Sequence, residues 1–146
     1  MSEKKKVRVP IIRMEQLEEA IYDMTIEEKE MAQAAKAGQF LSLYLDDESR
    51  LLPRPISICG IDKEAGTIRM VFRIAGEGTR QISCLKAGDT IEVLGPLGNG
   101  FFDTEDKVSM VIGGGIGIPP MLGLAKKLHA ESKKVIAVLG YRDAKN

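Results

Sequence analysis

Tryptophan is absent from this chain of 146 residues, histidine occurs once, cysteine twice, and aromatic side chains make up only 5% of it. One imidazole, His129, cannot build a histidine metal centre by itself or pass a proton to a second one, and its place near the end of a helical stretch suits a solvent-facing side chain. Cys59 and Cys84 stand far apart with no CxxC spacing. That excludes a disulfide framework, a four-thiolate cluster and a thiolate zinc site within the chain, and points to a reducing, cytoplasmic compartment. Both cysteines read as small hydrophobes of a core. An excess of either charge is missing too, since 21 basic and 21 acidic side chains cancel. A nucleic-acid partner, whose phosphates demand a basic surplus, is therefore not expected. The longest uncharged apolar stretch, residues 108–124, is broken by glycines 113–115 and 117 and by Pro119-Pro120. It falls short of the roughly 20 residues a membrane-spanning helix needs. No signal peptide is expected, because Lys4-Lys5-Lys6 leads into charged and polar sequence.

What is present begins with a succession of short strands. Residues 7–12, 20–26, 39–45, 54–61, 67–74 and 90–94 are rich in β-branched residues or alternate apolar with polar, the period of a half-buried strand. Gly60, Gly66, Gly76, Gly78, Gly88 and Gly95-Pro96 punctuate them. Between the second and third, EEKEMAQAAKA (residues 27–37) predicts a helix of at most three turns that Gly38 stops. About six strands at this spacing predict a small antiparallel barrel or sandwich over residues 1–105. From residue 106 the character changes. VSMVI, a glycine turn, a helical stripe over residues 120–130 and VIAVL at 135–139 predict a βαβ unit, the opening of a doubly wound α/β domain over residues 106–146. Two strands and one helix cannot close such a domain, so this part is read as incomplete.

Three stretches are candidates for chemistry. Arg54-Pro55-Ile56-Ser57 opens a strand; arginine offers a planar fork of donors matched to phosphate oxygens, and Pro55 holds Arg54 extended. An ordinary edge strand with Arg54 in a surface ion pair is the plain alternative. In VFRIAGEGTR (residues 71–80) a strand ends, two glycines follow, and Thr79 can cap a helix starting near Arg80. The plain alternative there is a capped helix after a hairpin. GGGIGIPP (residues 113–120) follows a buried strand and opens a helix, where a dinucleotide pyrophosphate sits, although it lacks the third glycine of GxGxxG and has proline instead. Asp46, Asp47 and Glu48 read as a solvated loop rather than a metal site. No nucleophile–base pair is evident, so no catalytic residue is assigned.

In their order along the chain, RPIS, VFRIAGEGTR, LGPLGNGF (residues 94–101) and GGGIGIPP resemble the ferredoxin–NADP reductase superfamily, and within it the branch of electron-transfer subunits of class B dihydroorotate dehydrogenases. The resemblance implies an all-β antiparallel Greek-key FAD-binding barrel followed by the first βαβ unit of a nicotinamide-dinucleotide domain. It implies that Arg54, Pro55, Ile56 and Ser57 line the flavin, with Arg54 on the diphosphate and Ser57 near the ring N5 edge. Val71, Phe72 and Arg73 would flank the flavin, and Gly78 and Thr79 would offer backbone and hydroxyl donors to the diphosphate. Gly114, Gly115, Gly117 and Pro120 match the nicotinamide-side turn; Pro119 replaces a frequent alanine, and Ile56 stands where many members have a tyrosine.

The resemblance further implies an NADH-to-FAD hydride transfer. Single electrons then pass through a 2Fe-2S cluster to an FMN-containing dihydroorotate dehydrogenase catalytic subunit, in a heterotetramer of pyrimidine biosynthesis. The protein would position the cofactors and tune their electrostatics. The cluster's four cysteines are missing here, so the chain reads as shortened, keeping the FAD site and lacking much of the nicotinamide domain. Another NAD(P)H-dependent ferredoxin or sulfide oxidoreductase subunit, and a non-catalytic β-barrel binding module, are the alternatives.

Overall fold

The structure, a computed structural model, describes residues 6–46 and 52–144. Asp47, Glu48, Ser49 and Arg50 of the charged loop lie outside the described residues. Six antiparallel strands, β1 (Lys6–Glu18), β2 (Ile21–Glu27), β3 (Phe40–Tyr44), β4 (Arg54–Asp62), β5 (Thr67–Arg73) and β6 (Thr90–Leu97), close into a barrel in the order β1-β2-β5-β4-β3-β6. Closure removes the unpaired edges that an open sheet of this size would expose. The non-sequential neighbours β2–β5 and β3–β6 make it the expected Greek key.

The alternation that predicted the strands fills the interior. Val9, Ile11, Met24, Ile26, Leu41, Leu43, Ile58, Ile68, Met70, Phe72, Ile91 and Val93 are all at most 2% exposed. Each such side chain contributes about 1.5–3 kcal/mol relative to solvent. Two short helices close the barrel: α1 (Lys29–Ala34) inserts Met31 and Ala32, and α2 (Glu77–Ser83) inserts Ile82.

Several boundaries differ from the sequence reading, each for a local reason. β1 runs to Glu18 rather than ending at Ile12, because register shifts between Ile11 and Arg13 and between Gln16 and Glu18 break the strict period of two. β6 continues past Leu94 through a cis Gly95–Pro96 peptide to Leu97. α1 spans six residues, since the chain is already extended at Ala35. Gly38 lies beyond that end, at φ +91°, and serves a different purpose. α2 starts at Glu77 with Gly76 as its cap, three residues earlier than the expected start near Arg80, so Thr79 sits inside its first turn.

The second part is β7 (Val108–Gly114), a single 3-10 turn (Gly115–Gly117), α3 (Ile118–Ala130) and β8 (Lys134–Gly140), with β7 and β8 parallel. This is the expected βαβ unit, with α3 starting two residues before Pro120. α3 covers one face and buries Val111; Val108, Met110, Ile112, Ile136 and Val138 on the other face are exposed. α3 also packs on the outer side of β4, where a Cβ at Gly123 would lie 3.0 Å from the Cys59 carbonyl oxygen.

A single loop joins these parts. The Phe101 N–H donates to the Ala37 carbonyl (3.0 Å) and the Ile58 N–H to the Gln39 carbonyl (3.0 Å). The Gln39 side-chain amide donates to the Gly98 carbonyl (2.8 Å), while its oxygen accepts from the Lys36 N–H (2.8 Å). Residues 98–107, which lead from the barrel to β7, are pinned again by Lys127 on α3, whose ammonium lies 2.5 Å from Asp103 and 2.8 Å from Glu131. Hydrogen bonding to Lys127 lowers the carboxyl pKa values of Asp103 and Glu131 below their usual range.

Two outcomes follow. Gly38→Ala is expected to cost about 1–2 kcal/mol for the left-handed backbone alone. The cost should exceed that, because the new methyl would lie 2.7 Å from the Phe101 nitrogen; urea unfolding with an unchanged m-value measures it. Folded-state pKa values below the unfolded ones mean that the Lys127 contacts stabilise above the ordinary carboxylate range and are lost as pH falls through the depressed values. An NMR titration of the Asp103 carboxyl carbon should therefore show a midpoint that moves upward in Lys127→Met.

Candidate functional site

The cleft between the barrel and the βαβ unit holds a cavity of about 740 Å³. Its barrel wall is the β1–β2 turn, residues 17–21, with Val71 and Arg73 at the end of β5. The opposite wall is Gly115, Ile116, Ile118 and Pro119 at the start of α3, with Tyr141, Arg142 and Asp143 after β8. Both sets lie at strand ends, and the second at the carboxyl ends of two parallel strands, where open α/β sheets hold their ligands. The walls are mostly apolar, a composition suited to planar rings, and carry Arg73 and Arg142 as cations beside the carboxylates of Glu18, Glu19 and Asp143.

Four residues beyond Arg73 the chain enters α2, and there a second cluster forms. Arg54, first residue of β4, is half-buried, donates from Nη1 to the Leu52 carbonyl (3.1 Å) and lies directly over Gly78. Among the described residues no carboxylate pairs with it. Thr79 is 7% exposed. Its hydroxyl oxygen accepts the Ala75 N–H (2.8 Å) and the Gly76 N–H (3.2 Å), and its O–H donates to the Gly76 carbonyl (3.1 Å). That hydroxyl is spent on holding the turn, which leaves the backbone of residues 77–79 as the donors on this side, since first-turn amides have no carbonyl within the helix to pair with.

The other expected residues are distributed as follows. Pro55 and Ser57 are exposed, and Ile56 packs partly against the barrel core. Phe72 is 1% exposed, its ring stacked on Tyr22 at 5.9 Å between centroids and its backbone paired with β2, so it presents almost no surface to a ligand. Gly114 ends β7 opposite Gly140, Gly117 caps α3, and Pro120 lies half-buried in the first turn of α3. Pro119 and Pro120 have no N–H, and the Ile118 N–H goes to the Gly115 carbonyl. Amide donors on this wall must come from the glycine turn rather than from α3 itself.

Sequence reasoning missed Tyr141, Arg142 and the β1–β2 turn as cavity walls. Position after a parallel strand was a usable signal for the first two; nothing local marked the turn. His129 is solvent-exposed as expected, but Cys84 is exposed where a core position was expected. It lies two residues, about 200°, around α2 from the buried Ile82. Cys59 is buried, as expected, beneath α3. Burial raises its thiol pKa, the neighbouring Arg69 acting in the opposite direction. Arg69 forms a forked pair with the buried Asp23, with Nε 3.0 and 3.1 Å from the two carboxylate oxygens and Nη2 at 2.9 Å. No described group of three or more His, Cys, Asp or Glu is placed to hold a metal, and no described helix is long and apolar enough to cross a membrane.

The oxidoreductase FAD-binding domain family matches residues 11–102. A curated relative from Streptococcus pneumoniae, described as the electron transfer subunit of dihydroorotate dehydrogenase B (NAD(+)), is 44% identical over 135 residues, covering 90% of this chain and 52% of its own length. One of the same description from Listeria monocytogenes is 40% identical over 144 residues, covering 97% of this chain and 56% of its own length. The chain thus spans about half the length of the curated relatives it matches. Among solved structures, an NADH-dependent reduced ferredoxin-NADP oxidoreductase superposes with a TM-score of 0.86 at 30% identity, over 94% of this chain and 49% of that one. Phthalate dioxygenase reductase shares the fold at a TM-score of 0.78 and 24% identity, over 94% of this chain and 44% of that one.

Thiol labelling checks the packing around the cleft. The native chain should release one fast equivalent with a chromogenic disulfide reagent, from Cys84, and Cys84→Ser should show only a slow phase from Cys59. Cys59 reacting as fast as Cys84 would mean that α3 does not stay on β4.

Proposed function

Because the chain belongs to the oxidoreductase FAD-binding domain family, we propose that it binds FAD across the cleft and serves as the flavin-holding part of an electron-transfer subunit. The observation that carries this reading is the continuity of two sites. Arg54, without a carboxylate partner among the described residues, lies over Gly78 at α2, and only residues 74–77 separate that helical glycine from Arg73 in the wall of the 740 Å³ cavity. The division into a flavin part (residues 1–105) and a nicotinamide part (residues 106–146) belongs to the same reading.

The residues present fit FAD. Arg54 meets the diphosphate with a charge-assisted fork, helped by backbone N–H groups of Gly78 and Thr79. Arg73 adds positive charge, Val71 in the cavity wall flanks the ring system, and Ile56 gives an aliphatic contact. The exposed Ser57 hydroxyl is available to the polar edge of the ring. When bound, FAD supplies the chemistry of taking up a hydride at N5 and giving up electrons singly. Across the cleft Gly114, Gly115, Gly117 and Pro120 leave room for a reduced nicotinamide dinucleotide such as NADH, and Tyr141 and Arg142 extend that wall. The apolar part of the walls would shield a bound ring system from water. No residue needs to act as a strong acid or base.

In this reading the acceptor lies in an FMN-containing dihydroorotate dehydrogenase catalytic subunit of a cytoplasmic heterotetramer in pyrimidine biosynthesis. The curated relatives' description as electron transfer subunits of dihydroorotate dehydrogenase B supports a catalytic partner subunit. A 2Fe-2S cluster does not fit these residues: Cys59 is buried, Cys84 is exposed elsewhere, and no cluster-ligating group forms among the described residues. No step through a cluster is assigned to this chain. The superposition on a ferredoxin-NADP oxidoreductase keeps a subunit of another reductase of the superfamily as the second reading.

The purified chain titrated with FAD should quench flavin fluorescence and acquire a protein-bound band near the usual flavin absorption; no binding ends the proposal. Arg54→Ala should weaken FAD by roughly 10- to 150-fold, the equivalent of about 1.5–3 kcal/mol for a charge-assisted contact.

A further inference from the structure

Gly78 occupies a position that its own backbone does not explain. It is the second residue of α2, its φ lies outside the left-handed region that favours glycine, and it is 90% or more buried. Glycine is the poorest helix former after proline, so a sequence gains nothing locally by placing it there. Gly76, which precedes the same helix, has open space where a side chain would be. At Gly78 the space is taken: a Cβ would lie 2.8 Å from both Cζ and Nη2 of Arg54 and closer still to Nε.

The guanidinium plane is thus laid on the helix backbone at the one place where no side chain intervenes. Its other restraints act from the strand side. Pro55 keeps the Arg54 backbone extended, and Nη1 donates to the Leu52 carbonyl at 3.1 Å. Together these contacts fix the orientation of a planar fork of donors, which is what two-pronged recognition of phosphate oxygens requires.

We propose that Gly78 is a positioning residue whose missing side chain seats the Arg54 guanidinium against α2. Its ligand-binding consequence rests on the FAD reading above; the seat itself does not. Arg54 is a long side chain that can swing aside, so Gly78→Ala displaces the guanidinium while the barrel stays folded. This assigns Gly78 a different task from offering its own N–H to the cofactor, which an alanine would do equally well.

The test is a double-mutant cycle on the full chain with wild type, Gly78→Ala, Arg54→Ala and the double variant, read by FAD affinity and by Tm. Gly78→Ala should weaken FAD at least roughly tenfold with Arg54 present and less than about twofold with Arg54→Ala, because the lost contact is the charge-assisted one. With Arg54→Ala, the glycine-to-alanine change should raise Tm, alanine being the better helix former, and the gain should shrink or reverse when Arg54 is retained. Equal loss of FAD affinity in both backgrounds overturns the proposal, since the glycine would then serve the approach of the cofactor itself. Unchanged affinity with Arg54 present overturns it too. A wild-type chain that binds no FAD defeats the function proposed above, and the Tm cycle still decides the seat: equal gains in both backgrounds remove it, unequal gains uphold it.

Discussion

The three-residue loop Ala37-Gly38-Gln39 is the joint on which the rest of the molecule depends. Its carbonyls take N–H groups from the linker at Phe101 and from β4 at Ile58, and the Gln39 side chain ties Gly98 back to Lys36. Gly38, at φ +91°, lets the Phe101 backbone come within a distance that any Cβ would block. Ala37 also lies beside Gly123 of α3, with 3.9 Å between its Cβ and the position of a Cβ there. One short turn therefore registers the barrel, the linker and the helix of the second part against each other.

Charge is handled in two ways on either side of this joint. Where cations serve the fold they are paired, as Arg69 is with the buried Asp23 and Lys127 with Asp103 and Glu131. Hydrogen bonding to Asp23 strengthens the hold of Arg69 on its proton. Arg54, in contrast, donates to the Leu52 carbonyl and rests on Gly78, with no carboxylate partner among the described residues. A half-buried guanidinium beside the first-turn N–H groups of α2 makes a region of positive potential suited to an anion.

Most of the barrel could be read from the chain, because a strand with one buried face writes its geometry as a period of two. That signal failed where bulges shift the parity, so the second half of β1 was invisible, and where the chain passes through Pro96 in β6. Helix ends were misjudged because composition reports what favours a helix and not what stops it: the run over residues 27–37 is almost all good helix formers, yet Ala35 is extended. The candidate site was legible as three separate phosphate-suited stretches. Its assembly was not, since Arg54 over Gly78, Tyr141 and Arg142 across from Val71, and the engagement of the Thr79 hydroxyl all depend on contacts between distant segments. Cys84 shows the same limit at one residue: a helical face has to be assigned before a small apolar side chain can be placed inside or outside.

The two prolines at the start of α3 bear on time rather than on structure. Against α2 an anionic ligand meets a guanidinium held in a fixed plane together with main-chain donors, whereas against α3 two of the first three residues have no hydrogen to give and the third has already spent its own. Dissociation is slow where many preformed contacts must break together and fast where few exist. On the FAD reading proposed above, the donors fixed against α2 favour a longer residence for the dinucleotide held there than the glycine turn before α3 gives a ligand on its side.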